Sequence, residues 1–131
     1  MQTNALVFLE EEKLETATDM LQGGLLLAQE MEEVGMEARF TGNLAIAYAM
    51  RADYGRAIEY ALDAVRRSTE RVDRHFEAVS RVNLAFALRL SGNYAGASTE
   101  LMHATNVAES LGYAHVLSAA LRQRGLMGTW Q

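Results

Sequence analysis

The side chains able to carry proton transfer or metal ligation are few: three histidines and seventeen acids in 131 residues. His75, His103 and His115 are scattered, and none belongs to an H-E-x-x-H array that would set two imidazoles one helical turn apart around zinc. His75 follows Asp73 and Arg74 near an expected helix start, which predicts a solvated ring, and His103 falls on an expected outward position. Cysteine is absent, so thiolate nucleophiles, thiolate zinc sites and disulfides are excluded together. No phosphate-binding G-x-x-x-x-G-K, dinucleotide-binding G-x-G-x-x-G or nucleophile-elbow G-x-S-x-G occurs. The glycines of "QGGLLL", residues 22–27, lack the lysine and the preceding strand of a phosphate loop. Gly24 instead fits a close helix contact, and Gly23 is an exposed neighbour costing ~1 kcal/mol of helix propensity. No catalytic residue, metal ligand or cofactor is expected.

Residues suited to recognition are better organised. At the spacing i, i+4, i+7, i+11, which keeps side chains on one helical face, stand Arg39, Asn43, Ile46 and Met50. The same stripe returns as Val79, Asn83, Phe86 and Leu90, and again as Ala119, Gln123, Leu126 and Trp130. A primary amide presents donor and acceptor together and can satisfy a peptide unit without net charge. Arg39, Arg89 and Arg122 could add charge-assisted bonds to an acidic ligand. Ile46, Met50, Phe86, Leu90, Leu126 and Trp130 are too apolar for a plain solvated wall. A contiguous patch of that kind marks a binding surface, unless neighbouring helices cover it.

The elements that must position these residues are helices. Half the residues are apolar and proline is absent; alanine, leucine, glutamate and arginine dominate, which is helix-forming stock. The stretch "GNLAIAYAMRADYGRA" at 42–57 returns as "VNLAFALRLSGNYAGA" at 82–97. The same frame sets Ala5 under Ala45, Ala85 and Gly125, and Ala17 under Ala57 and Ala97. One domain, 1–131, is therefore expected, with repeats at 1–40, 41–80 and 81–120 and a partial fourth at 121–131. Such a period signals stacked supersecondary units. Seven helices are predicted near 2–12, 14–34, 36–51, 53–72, 74–91, 93–111 and 113–128. Asp53 and Asn93 are the expected N-caps, and Gly35 and Gly112 the expected breaks between units. Small residues at 45 and 57 allow close helix approach; a leucine at Ala57 or Ala97 would overpack by ~1–3 kcal/mol. The methionines, Met20, Met31 and Met102 among them, are expected to fill core gaps. "EEE" at 10–12 is expected to end a solvated helix face.

The run Asn-Leu-Ala-x-Ala, followed by Asp or Asn, Tyr and a second alanine, resembles the tetratricopeptide repeat. The period is longer than the usual ~34 residues and is similar to the long-helix form found in kinesin light chains, Rap-type regulators and MalT-like or LuxR-type activators. Thr41 and Arg81 stand where that family carries an early tryptophan, and its helix-ending proline is missing. The resemblance implies an all-α, right-handed superhelical solenoid of about three and a half helix hairpins. It also implies a non-enzymatic scaffold that binds a peptide or protein in its concave groove, with Asn43 and Asn83 as the groove asparagines.

Charge is distributed unevenly. Residues 1–40 hold nine acids and two bases, a balance of −7, whereas residues 41–131 hold eight acids and ten bases, a balance of +2. That asymmetry can orient a partner or stack copies head to tail. Overall acidity argues against direct nucleic-acid binding. The start "MQTNALVFLEEEKLE" lacks the basic region of a signal peptide, and no run is long and apolar enough to span a bilayer. A cytoplasmic protein with a peptide or protein partner, no membrane partner and a capacity to form a homodimer is the expectation.

Overall fold

The structure, a computed structural model, describes residues 2–127, with side chains described from residue 10 onward. Six helices follow one another: α1 (Gln2–Glu30), α2 (Val34–Met50), α3 (Tyr54–Glu70), α4 (Arg74–Leu90), α5 (Tyr94–Leu111) and α6 (Ala114–Leu126). The all-α expectation holds, and no strand occurs among the described residues. The count of seven does not hold: the helices expected at 2–12 and 14–34 are one helix of 29 residues. Residues 10–15, Glu-Glu-Glu-Lys-Leu-Glu, are good helix formers with no glycine, asparagine or serine to reverse the chain. At ~1.5 Å per residue α1 is about 43 Å long, against about 25 Å for α2.

From α1 onward the chain turns at a fixed interval. Glu32, Ala52, Val72, Gly92 and Gly112 all take positive φ. In each case the next residue's N–H donates to a carbonyl five residues back: Glu33 to Ala28, Asp53 to Tyr48, Asp73 to Ser68, Asn93 to Leu88 and Tyr113 to Ala108, at 2.8–2.9 Å. This closure satisfies carbonyls that a helix end would otherwise leave open. Gly112 ends α5 as expected, at φ 73. Gly35 is a correction: it lies inside α2, and Glu32 makes the reversal instead. Val72, at φ 55, carries a β-branched side chain in a region L-residues rarely adopt. Asp53 and Asn93 cap as expected, accepting from the Arg56 N–H at 3.3 Å and the Gly96 N–H at 2.9 Å. Asp73 accepts likewise from the Phe76 N–H at 3.0 Å.

Consecutive helices pack together, and α2 also meets α4, as α4 meets α6. The even-numbered helices are therefore successive neighbours, bridged by α3 and α5. Their core is built largely from alanine: Ala45, Ala57, Ala61, Ala85, Ala97 and Ala104 are all but inaccessible. A side chain ending at Cβ brings backbones close, with Leu44, Leu84 and Leu101 filling the space between. Gly24 extends this logic, since a Cβ there would lie 2.5 Å from the Phe40 ring, whereas Gly23 faces open space.

Each central hairpin is also tied by an ion pair that is four-fifths buried. Arg67 on α3 meets Glu37 on α2 at 3.0 Å and Asp63 at 2.9 Å. Arg81 on α4 meets Glu100 on α5 at 2.7 Å and Glu77 at 3.1 Å. Burial pushes the Asp63 carboxyl up, but the Arg67 and Arg66 guanidiniums outweigh it and hold the group below its ordinary value. Burial likewise opposes the Arg81 charge, and Glu100 and Glu77 together raise its pKa. Among the described residues no helix is long and apolar enough to cross a membrane. Three methionines depart from expectation: Met20, Met31 and Met102 are exposed, not core. Glu10, Glu11 and Glu12 are solvated, but lie within a helix instead of ending one.

Candidate partner-binding face

The even-numbered helices bring the recognition stripes side by side, and the two seams between them differ. At the α2–α4 seam Arg39, Asn43 and Met50 are exposed, while Ile46 is partly buried. Asn83 reaches across from α4: its Nδ2 lies 3.9 Å from where a Cβ on Gly42 would sit. Phe86 and Leu90 are half-buried against the cluster of Leu44, Tyr48 and Ala49, so neighbouring helices cover much of that apolar stripe.

A cavity of about 300 Å³ opens at the N-terminal half of this seam, lined by Gly35, Ala38, Arg39, Arg71, Asp73, His75, Phe76 and Val79. Neither Arg39 nor Arg71 joins an ion pair among the described residues. Asp73, the acid in the lining, is occupied as the α4 N-cap. Exposed His75 meets the Tyr113 ring edge-on at 4.8 Å, which fixes the rim toward α6. Two uncommitted guanidiniums around a concave space attract an anionic group.

At the α4–α6 seam the expected ligand contacts are turned inward. Arg89 Nε donates to Gln123 Oε1 at 3.3 Å, and Gln123 Nε2 donates to the Val82 carbonyl at 3.2 Å. The Arg89 guanidinium also lies 5.5 Å from the Phe86 ring centroid. These residues fasten α6 to α4. Arg122 and Leu126 are exposed beside them, and Trp130 lies outside the described residues.

A larger cavity, about 470 Å³, lies between α1 and α3 and was not legible in the repeat stripes; Gln22, Tyr48, Arg56, Glu59, Tyr60 and Asp63 line it. Gln22 Nε2 donates to the Tyr48 and Tyr60 hydroxyls at 2.9 and 3.0 Å, and the two rings stack with centroids 5.5 Å apart. Asp63 is held by Arg66 and Arg67. Because most of its polar groups already serve one another, this cavity braces α1 against the α2–α3 hairpin. Among the described residues no three His, Asp or Glu converge to hold a metal ion.

No family model matches the chain, and no curated protein matches it.

Proposed function

We propose that the protein is a tetratricopeptide-like, right-handed α-solenoid acting as a non-enzymatic scaffold. It binds an acidic peptide or protein segment along the face shared by α2, α4 and α6, as the sensor or docking part of a bacterial regulator would. The observation that carries this reading is the pair Arg39 and Arg71, uncommitted around a 300 Å³ cavity in a chain of net charge −5. Local positive charge in an acidic protein selects for a negative ligand and excludes its own acidic surface by geometry. Asn43 and Asn83 continue the face beyond the cavity and suit an extended backbone, because each amide can donate and accept.

Calorimetric titration with peptides that differ only in carrying or lacking a terminal or side-chain carboxylate tests the proposal. Binding restricted to the acidic peptides, and weakened by Arg39→Ala, is expected. Equal affinity for the neutral peptides rules the reading out. A second reading, self-association, is favoured by the exposed apolar side chains of α1 and α6.

A further inference from the structure

The cavity of about 470 Å³ between α1 and α3 is lined by Gln22, Tyr48, Arg56, Glu59, Tyr60 and Asp63, and this set does not recur with the repeat. Forty residues on, Gln22 becomes Leu62, Tyr48 becomes Leu88, Glu59 becomes Thr99 and Tyr60 becomes Glu100. Leu62 is exposed, Leu88 packs against the core, and Glu100 is tied to Arg81. Residues that build the array return at each step, as the buried alanines at 45 and 85 do. A polar set present at one step and replaced at the next is not demanded by the architecture.

Bracing α1 uses only part of the capacity of this set. Gln22 Nε2 donates to both tyrosine hydroxyls, so each hydroxyl acts as an acceptor. Neither hydroxyl proton has an acceptor among the described residues, and the Gln22 carbonyl oxygen receives no donor there. Tyr48 is 5% exposed, and a hydroxyl proton on so buried a residue is costly to leave unpaired. The charges are unused in the same way. Arg56, Glu59, Tyr60 and Asp63 share one face of α3 at the spacing i, i+3, i+4, i+7. Arg56 and Glu59 are neighbours of opposite sign, yet no ion pair joins them. The Arg56 guanidinium lies 5.6 Å from the Tyr48 ring centroid and only approaches Asp53, at 3.7 Å. Glu59 meets no cation among the described residues, whereas Asp63 is held by Arg66 and Arg67.

We propose that this cavity binds a free α-amino acid. The ligand carboxylate takes the Tyr48 and Tyr60 hydroxyl protons and the Arg56 guanidinium. The ligand ammonium takes the Glu59 carboxylate and the Gln22 carbonyl oxygen. An anion alone would face the carboxylates of Glu59 and Asp63, and a cation alone would face Arg56. A ligand whose α-carbon bears both an ammonium and a carboxylate meets each charge with its opposite. Both hydroxyls lie within 3.0 Å of one nitrogen, close enough for one carboxylate to span them. The volume falls within the range of small-molecule sites, about 300–1,000 Å³. The site shares no lining residue with the α2–α4 cavity and stands independently of the peptide reading.

Thermal unfolding of the full chain with each protein amino acid in turn, then calorimetric titration of the one that raises the midpoint most, tests this. One-to-one binding is expected, weakened at least about tenfold when the probe is N-acetylated or its α-carboxylate is amidated. Glu59→Gln is expected to weaken the free amino acid by a similar factor, an effect that N-acetylation does not compound. Glu59 is exposed, and circular dichroism confirms that the variant folds. Tyr60→Phe keeps the ring and is expected to weaken the free amino acid more than its amide. Arg39→Ala with Arg71→Ala is expected to leave amino-acid affinity unchanged, so this site and the peptide cavity fail or hold separately. A chain whose midpoint no amino acid raises, an affinity indifferent to blocking either charge, or an affinity unmoved by Glu59→Gln overturns the proposal.

Discussion

The α2–α4 and α4–α6 seams join helices of the same kind at equivalent positions and end up chemically opposite. In the first, Arg39 and Arg71 surround open space. In the second, Arg89 and Gln123 bond to each other, and Gln123 also holds the Val82 carbonyl. The turns differ in the same sense. Val72 is strained where the chain enters α4, while glycine occupies the equivalent position, 112, before α6. A repeated stripe therefore marks a location, and the residue at each step decides whether that location is free for a ligand or fastens the array.

Exchanging the two seams' chemistry is the strongest way to break this comparison. Arg39→Ala with Arg71→Ala is expected to lower acidic-peptide affinity about ten- to a hundredfold, the loss of one or two charge-assisted bonds, without moving the thermal midpoint. Arg89→Ala with Gln123→Ala is expected to lower unfolding free energy in urea by about 1–2 kcal/mol and leave affinity unchanged. If the first pair costs stability and the second costs binding, the assignment is reversed. Val72→Gly gives the α4 turn the residue that the α6 turn already has, and should raise stability by about 1 kcal/mol. Ser80, buried on α4 with its Oγ unpartnered, offers a gain of up to about 1 kcal/mol as Ser80→Ala, read from the same urea transition.

The smallest effect concerns pH. The Asp63 carboxyl is depressed in the folded state by Arg67 and Arg66 against the opposing effect of burial. Its stabilisation is present above its unfolded value and lost as pH falls through the folded value. Asp63→Asn should therefore cost a few tenths of a kcal/mol at neutral pH, because burial offsets much of the attraction and the rest is screened at the partly exposed edge, and flatten the acid limb below about pH 4.

Much of the helical framework was legible in the sequence because its signals are local. Asp53 and Asn93 cap where their short side chains predicted, and the small residues at 45, 57, 85 and 97 are buried. The misses share a cause. A repeat frame assigns each residue a place by translation, but it does not say whether a neighbour is present there. Met20 and Met31 look like core by residue type and are exposed because, among the described residues, no helix covers their side of the chain. Phe86 and Leu90 look open and are half-covered. Arg71 was overlooked because it lies on a turn, off every helical stripe. The Glu37–Arg67 tie was overlooked because its partners are 30 residues apart; opposite charges placed symmetrically about the reversal at Ala52 were the available signal.

The regular placement of the left-handed residues has a genetic consequence. Residues 54–93 begin at one helix start and end immediately before the next equivalent one, with a capping acceptor, Asp53 or Asn93, preceding each. Excising or duplicating that block joins compatible caps and leaves every reversal in phase. A chain lacking residues 54–93 is therefore expected to fold with two helices fewer, as circular dichroism would read, whereas loss of one residue within a helix rotates everything downstream.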